Sequence, residues 1–230
     1  MRKIGQLECL EVNHSLEDGV EYPWVVLFHG YGADAQDLFG LGDYLQSPEG
    51  KKFNFMCFNA PYSSAFGGRA WWSIDLERLQ RTQMTGEFED FADTIPPELA
   101  KVRNIVYEAF RKAEIEWQNV ILGGFSQGAM LATELFFDAP QSPLGLMAFS
   151  GAVINKADWL VKGPKRSGAK IFQSHGNMDM VLTYEHGKQL AKIFHQCGLK
   201  GELSTFKGGH EIPLPIVERA RTYIQSRFQK

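Results

Sequence analysis

Apolar residues in this chain gather in short runs, separated by longer stretches in which they recur every three or four positions. Residues 24–28, 53–58, 120–122, 145–149 and 170–173 are runs of the first kind. A strand covered on both faces reads this way, because both of its sides meet apolar neighbours. These runs are predicted to lie side by side in a mostly parallel sheet. Residues 3–12 alternate more and are predicted as an antiparallel edge or hairpin. Between the runs, residues 98–110, 126–138, 184–196 and 212–228 carry helical spacing. Pro96 and Pro97 suit a helix start, whereas Pro213 and Pro215 push the start of the last helix beyond 212. Alternation of the two kinds of run predicts an α/β fold with helices on both faces of the sheet.

Residues 61–94 break the rhythm. The stretch is long, holds Gly67-Gly68-Arg69-Ala70-Trp71-Trp72, and then turns charged and polar. Long irregular insertions commonly serve a site, so this one is expected to border a substrate cleft. The plainer alternative is that Trp71 and Trp72 fill core.

Composition narrows the partners. A chain of 230 residues, 44% hydrophobic, can bury one large core, and no repeat or low-complexity tract divides it. One domain over residues 1–230 is expected. The net charge of −3, with Lys and Arg scattered, argues against nucleic acid or an anionic membrane surface and for a small molecule. The longest apolar runs fall far short of the roughly 20 residues a bilayer span needs. Glu8 and Glu11 interrupt what would be the core of a signal peptide, so a cytoplasmic protein without stable membrane insertion is expected. Cys9, Cys57 and Cys197 are far apart and lack C-x-x-C spacing, which favours neither disulfides nor a zinc site. The sequence leaves open a homodimer formed through an exposed apolar face.

The chemistry centres on Gly123-Gly124-Phe125-Ser126-Gln127-Gly128, which joins a strand-like run to a helix-like one. A serine at such a turn is forced into a strained conformation, and small residues two before and two after it relieve the crowding. The turn also aims the first free amides of the helix at whatever the serine attacks. Ser126 is therefore a candidate nucleophile for acyl transfer.

A serine hydroxyl needs a base and a group to orient that base. In a parallel sheet both are sought in loops beyond the carboxyl ends of strands. Among six histidines, His14 lies in an early turn, His186 and His195 lie in a helical stretch, and His29 and His175 sit low in tight strand exits. His210 follows a strand-like run through Lys207-Gly208-Gly209, and a glycine loop can bring it over Ser126. Asp179 follows the run at 170–173 and is placed to orient His210, with a turn-capping aspartate as the plainer alternative. The chain order Ser126, Asp179, His210 is that of α/β hydrolases. Two oxyanion donors are expected, the backbone amides of Gln127 and of Tyr31 in His29-Gly30-Tyr31-Gly32. This chemistry calls for no cofactor and no metal.

The assembled segments resemble the phospholipase/carboxylesterase family of α/β hydrolases, which includes the acyl-protein thioesterases. The carriers are Leu27-Phe28-His29-Gly30-Tyr31-Gly32-Ala33-Asp34, Arg69-Ala70-Trp71-Trp72, the serine turn, His175-Gly176-Asn177-Met178-Asp179 and Gly209-His210-Glu211-Ile212-Pro213. The resemblance implies a Ser126–Asp179–His210 triad, an oxyanion hole from the amides of Tyr31 and Gln127, and hydrolysis of carboxylic esters, thioesters or lysophospholipids. Two departures stand out. Met180 and Thr183 occupy positions where the family often has prolines, and Ala70-Trp71-Trp72-Ser73 stands where it often has Ala-Trp-Phe-Asp. Trp71, Trp72 and Met180 are therefore expected at the substrate, walling a groove suited to short-chain esters. A peptidase, an acyltransferase or lyase, and a non-catalytic binding protein on the same fold are the alternatives.

Overall fold

Every residue of the runs at 24–28, 54–58 and 145–149 is buried in the computed structural model, which describes residues 1–46, 50–85 and 88–228. In chain order the elements are β1 (Arg2–Ile4), β2 (Leu7–Val12), α1 (His14–Asp18), β3 (Trp24–Phe28), α2 (Ala35–Phe39), α3 (Leu41–Leu45) and β4 (Asn54–Phe58). Then come β5 (Tyr62–Ser63), β6 (Arg69–Ala70), α4 (Leu76–Thr85), α5 (Leu99–Lys112), β7 (Val120–Phe125), α6 (Gln127–Asp138) and β8 (Gly145–Phe149). The chain closes with α7 (Lys156–Lys162), β9 (Ile171–Gly176), α8 (Tyr184–Gln196), β10 (Leu203–Phe206) and α9 (Leu214–Arg227).

The central sheet has the order β1-β2-β4-β3-β7-β8-β9-β10. From β4 to β10 every pairing is parallel, while β1 and β2 form an antiparallel hairpin whose β2 pairs antiparallel with β4. The unbroken apolar runs have a direct cause. Val26 and Phe28 join the core on one face with α5, α6 and α8, while Val25 and Leu27 join the core on the other face with α2 and α9. Helix α6 is buried from Gln127 to Phe137, so it has no solvent-facing stripe and little reason for amphipathic periodicity.

A buried polar knot holds three helices together. Glu134 accepts from Arg103 Nη1 (2.9 Å), Asn155 Nδ2 (3.1 Å) and Trp159 Nε1 (2.7 Å), which ties α6 to α5 and α7. Such a carboxylate is tolerated in the interior because its lone pairs are filled.

The structure lengthens two of the anticipated strands. β7 continues to Phe125 and β9 to Gly176, because neighbours continue the ladder: Phe125 pairs with Phe149, and His175 and Gly176 pair with Thr205 and Phe206. His175 therefore lies within the ladder, one residue before the end of β9. The last helix starts at Leu214, with Pro215 accommodated in its first turn, where a missing N–H costs nothing. Within the insertion at 61–94, β5 and β6 pair as a hairpin and α4 follows, while residues 86–87 lie outside the described residues. Among the described residues no helix is long and apolar enough to cross a membrane.

Candidate active site

Ser126 stands between β7 and α6 with φ 54° and ψ −119°, a left-handed conformation that L residues adopt only under constraint. The constraint is visible on both sides: Ser126 N donates to Phe149 O (2.9 Å), and Ala129 N donates to Ser126 O (2.9 Å). The flanking glycines are fixed by close approach. A Cβ on Gly124 would lie 2.3 Å from Gly128 O, and one on Gly128 would lie 1.9 Å from Phe28 O. The turn thus packs helix, strand and loop backbones together, which only glycine at both positions allows.

Asp179 and His210 are brought together by two loops bonded to each other. Asn177 N donates to Phe206 O (2.9 Å) and Met178 N to Gly208 O (2.9 Å), so the segment after β9 is tied to the segment after β10. His210 Nδ1 lies 2.6 Å from Asp179 Oδ2, while Asp179 Oδ1 accepts from Val181 N (2.8 Å) and Leu182 N (2.9 Å). Burial pushes the Asp179 carboxyl up, but the bond and charge of His210 and the two amides outweigh it and hold the group below the usual carboxylate range. An ionised Asp179 fixes the proton of His210 on Nδ1 and leaves Nε2 as the basic nitrogen. The imidazole rests on the ring of Phe125, centroid to centroid 4.6 Å, next to Ser126 in sequence. The Ser126 hydroxyl has no hydrogen-bond partner among the described residues, in keeping with the looser geometry common before substrate binds.

The loop after β3 presses on the serine turn. A Cβ on Gly30 would come 3.4 Å from Ser126 Cβ and 3.3 Å from Phe125 Cδ1. Among the described residues, the amides of Tyr31 and Gln127 have no internal acceptor, so both are available to an external anion.

The aromatic pair lies deeper than a groove wall. Trp71 is fully buried, edge-on to Phe28 at 5.3 Å, with its Nε1 donating to His29 O (2.9 Å). Trp72 is buried as well, whereas Met180 is 55% exposed beside Asp179. The remaining strand-end histidines have internal tasks. His29 accepts from Ala60 N (3.0 Å) at Nε2 and faces Gly30 O (2.7 Å) at Nδ1. His175 Nε2 faces Leu182 O (2.7 Å) and lies 3.5 Å from Asp179 Oδ2. Burial lowers both pKa values, which keeps both rings neutral. Of the other histidines, His186 is buried in α8 while His195 is exposed there.

Sequence reasoning missed the side chain of Gln127. Its Oε1 accepts from Trp71 N (2.9 Å) and its Nε2 donates to Trp72 O (2.9 Å). The signal was a lone amide opening a helix whose next five residues, Gly128 to Ala132, carry no polar side chain. Among the described residues no cluster of His, Cys, Asp and Glu is arranged to hold a metal ion.

Comparison with known proteins fits this geometry. The phospholipase/carboxylesterase family model matches residues 12–227. An acyl-protein thioesterase 1 homolog of Dictyostelium discoideum is 27% identical over 213 residues, covering 90% of this chain and 91% of its own. Acyl-protein thioesterase 1 of Candida albicans is 28% identical over 200 residues, covering 80% of this chain and 82% of its own. The crystal structure of esterase PE8 shares the fold, with a TM-score of 0.78, 22% identity and coverage of 96% of this chain and 99% of that one.

Proposed function

Because the chain belongs to the phospholipase/carboxylesterase family, we propose that it hydrolyses carboxylic ester or thioester bonds through an acyl-enzyme on Ser126. Ser126 Oγ attacks the carbonyl carbon while His210 Nε2 takes its proton, and the carbonyl oxygen becomes an oxyanion held by the amides of Tyr31 and Gln127. The carbon–oxygen or carbon–sulfur bond to the leaving group then breaks, and His210 returns the proton to that group. A water deprotonated by the same nitrogen attacks the acyl-enzyme, and the acid leaves as Ser126 is restored. Asp179 keeps its charge throughout and stabilises the imidazolium. The observation that carries this mechanism is the 2.6 Å pairing of Asp179 and His210 beside the strained serine turn.

The leaving group and acyl length are the open choice. Both relatives described above carry the name acyl-protein thioesterase, which supports thioesters as a second substrate class. We favour short-chain esters. Of the three residues assigned to the acyl group, Met180 is the exposed one and so the one open to substrate beside Asp179, while the buried Trp71 acts by holding His29. A chain-length series of nitrophenyl esters, run beside an acyl thioester, tests the choice. The highest kcat/KM on short esters is expected; a sharp preference for long chains, or for the thioester, overturns it.

A further inference from the structure

We infer that the Gln127 carboxamide is a positioning residue that fixes both oxyanion donors against one common segment, an inference that rests on the acyl-enzyme mechanism above. Gln127 is 3% exposed, and a primary amide so buried is costly unless its oxygen and nitrogen find partners. Its two bonds go to successive residues of one strap, Trp71 N and Trp72 O, 55 or more positions earlier in the chain.

The same strap grips the other donor from both sides. Trp71 Nε1 donates to His29 O (2.9 Å), two residues before Tyr31. On the far side Gly32 N donates to Arg69 O (2.8 Å) and Arg69 N to Ala33 O (2.7 Å). The Tyr31 hydroxyl itself accepts from Ala65 N (3.1 Å) in the hairpin connection. The bonds form a closed circuit: the Gln127 side chain holds residues 71 and 72, these and Arg69 hold residues 29, 32 and 33, and the amides of Tyr31 and Gln127 are the two donors. An oxyanion hole works only when its donors are placed to within about 0.5 Å. Without the circuit, helix α6 and the loop after β3 could shift against each other and separate the two amides. A structural role alone would lower stability and leave the rate of the folded enzyme unchanged.

Gln127→Met keeps the length of the side chain, removes both bonds and leaves the Gln127 main-chain amide in place. The expected result is a fall in kcat of about a hundredfold with KM little changed, the loss seen when one oxyanion donor is misplaced. Binding of a trifluoromethyl ketone, whose adduct with serine carries the oxyanion, should weaken in parallel with kcat/KM. Trp71→Phe is the second arm: it keeps an aromatic ring, deletes the bond to His29, and is expected to lower kcat about tenfold at constant KM. Ser126→Ala is run beside them. Activity surviving in Ser126→Ala overturns the acyl-enzyme mechanism. An inactive Ser126→Ala, together with wild-type kcat and ketone affinity in folded Gln127→Met or in Trp71→Phe, overturns the positioning role alone.

Discussion

Asp179 uses both carboxylate oxygens at once: Oδ2 lies 2.6 Å from His210 Nδ1, and Oδ1 takes the amides of Val181 and Leu182. The loop amides aim the carboxylate, and the carboxylate in turn selects the tautomer of His210. Asp179→Asn preserves the shape but presents an N–H where an acceptor is needed. We expect kcat to fall about 10⁴-fold while circular dichroism stays native. Activity above about a tenth of wild type would mean that His210 is oriented by something else.

His29, His175 and His186 are buried, and desolvation lowers the pKa of each from 6.5 in spite of carbonyl contacts that raise it. In the unfolded chain these rings take up protons as the pH falls through 6.5, while in the folded chain they stay neutral to lower pH. The unfolded state then binds more protons, so stability is complete above 6.5 and is lost as the pH falls toward the folded pKa values. Thermal unfolding should show a plateau in Tm above neutrality and a progressive decline below it. A Tm independent of pH between neutrality and mild acid would contradict the neutral state of these rings.

Two glycines make a paired test of the serine turn. Gly128→Ala would place a methyl carbon 1.9 Å from the main-chain Phe28 O, which no side-chain rotation can relieve, so relief requires moving α6 or β3. A loss of about 3 kcal/mol in urea unfolding is expected, with turnover reduced. Gly40, by contrast, is right-handed with nothing within 4 Å of a new methyl group, and Gly40→Ala is expected to stabilise by about 0.5 kcal/mol.

Removing Glu134 should separate stability from catalysis. Glu134→Ala leaves Arg103, Asn155 and Trp159 Nε1 without their shared acceptor, at a cost of about 3 kcal/mol. Steady-state kinetics on the folded fraction should give an essentially unchanged kcat, because Ser126 is held by β7 and β8 rather than by this knot.

What could be read in the sequence was whatever depends on local pattern. The strands at 24–28 and 145–149 were legible to the residue because apolar cover on both faces leaves no polar interruption. Asp179 and His210 were found by their places after strands. Elements of five residues such as α1, α2 and α3 are too short to show a helical period, and they were not foreseen. The extension of β9 through His175 depends on β10, which lies a whole helix further along the chain. The Gln127 strap and the enclosure of Trp71 are contacts across more than 40 positions, and no local spacing encodes them.

Hydrolysis by this route passes through a covalent acyl intermediate on Ser126. The most direct measurement is an acid quench during turnover of a nitrophenyl ester, followed by peptide mass mapping. One acyl group on Ser126 is expected, lost in Ser126→Ala together with at least about 10⁴-fold of kcat. An acyl group on another residue, or a Ser126→Ala enzyme that still turns over, would contradict it.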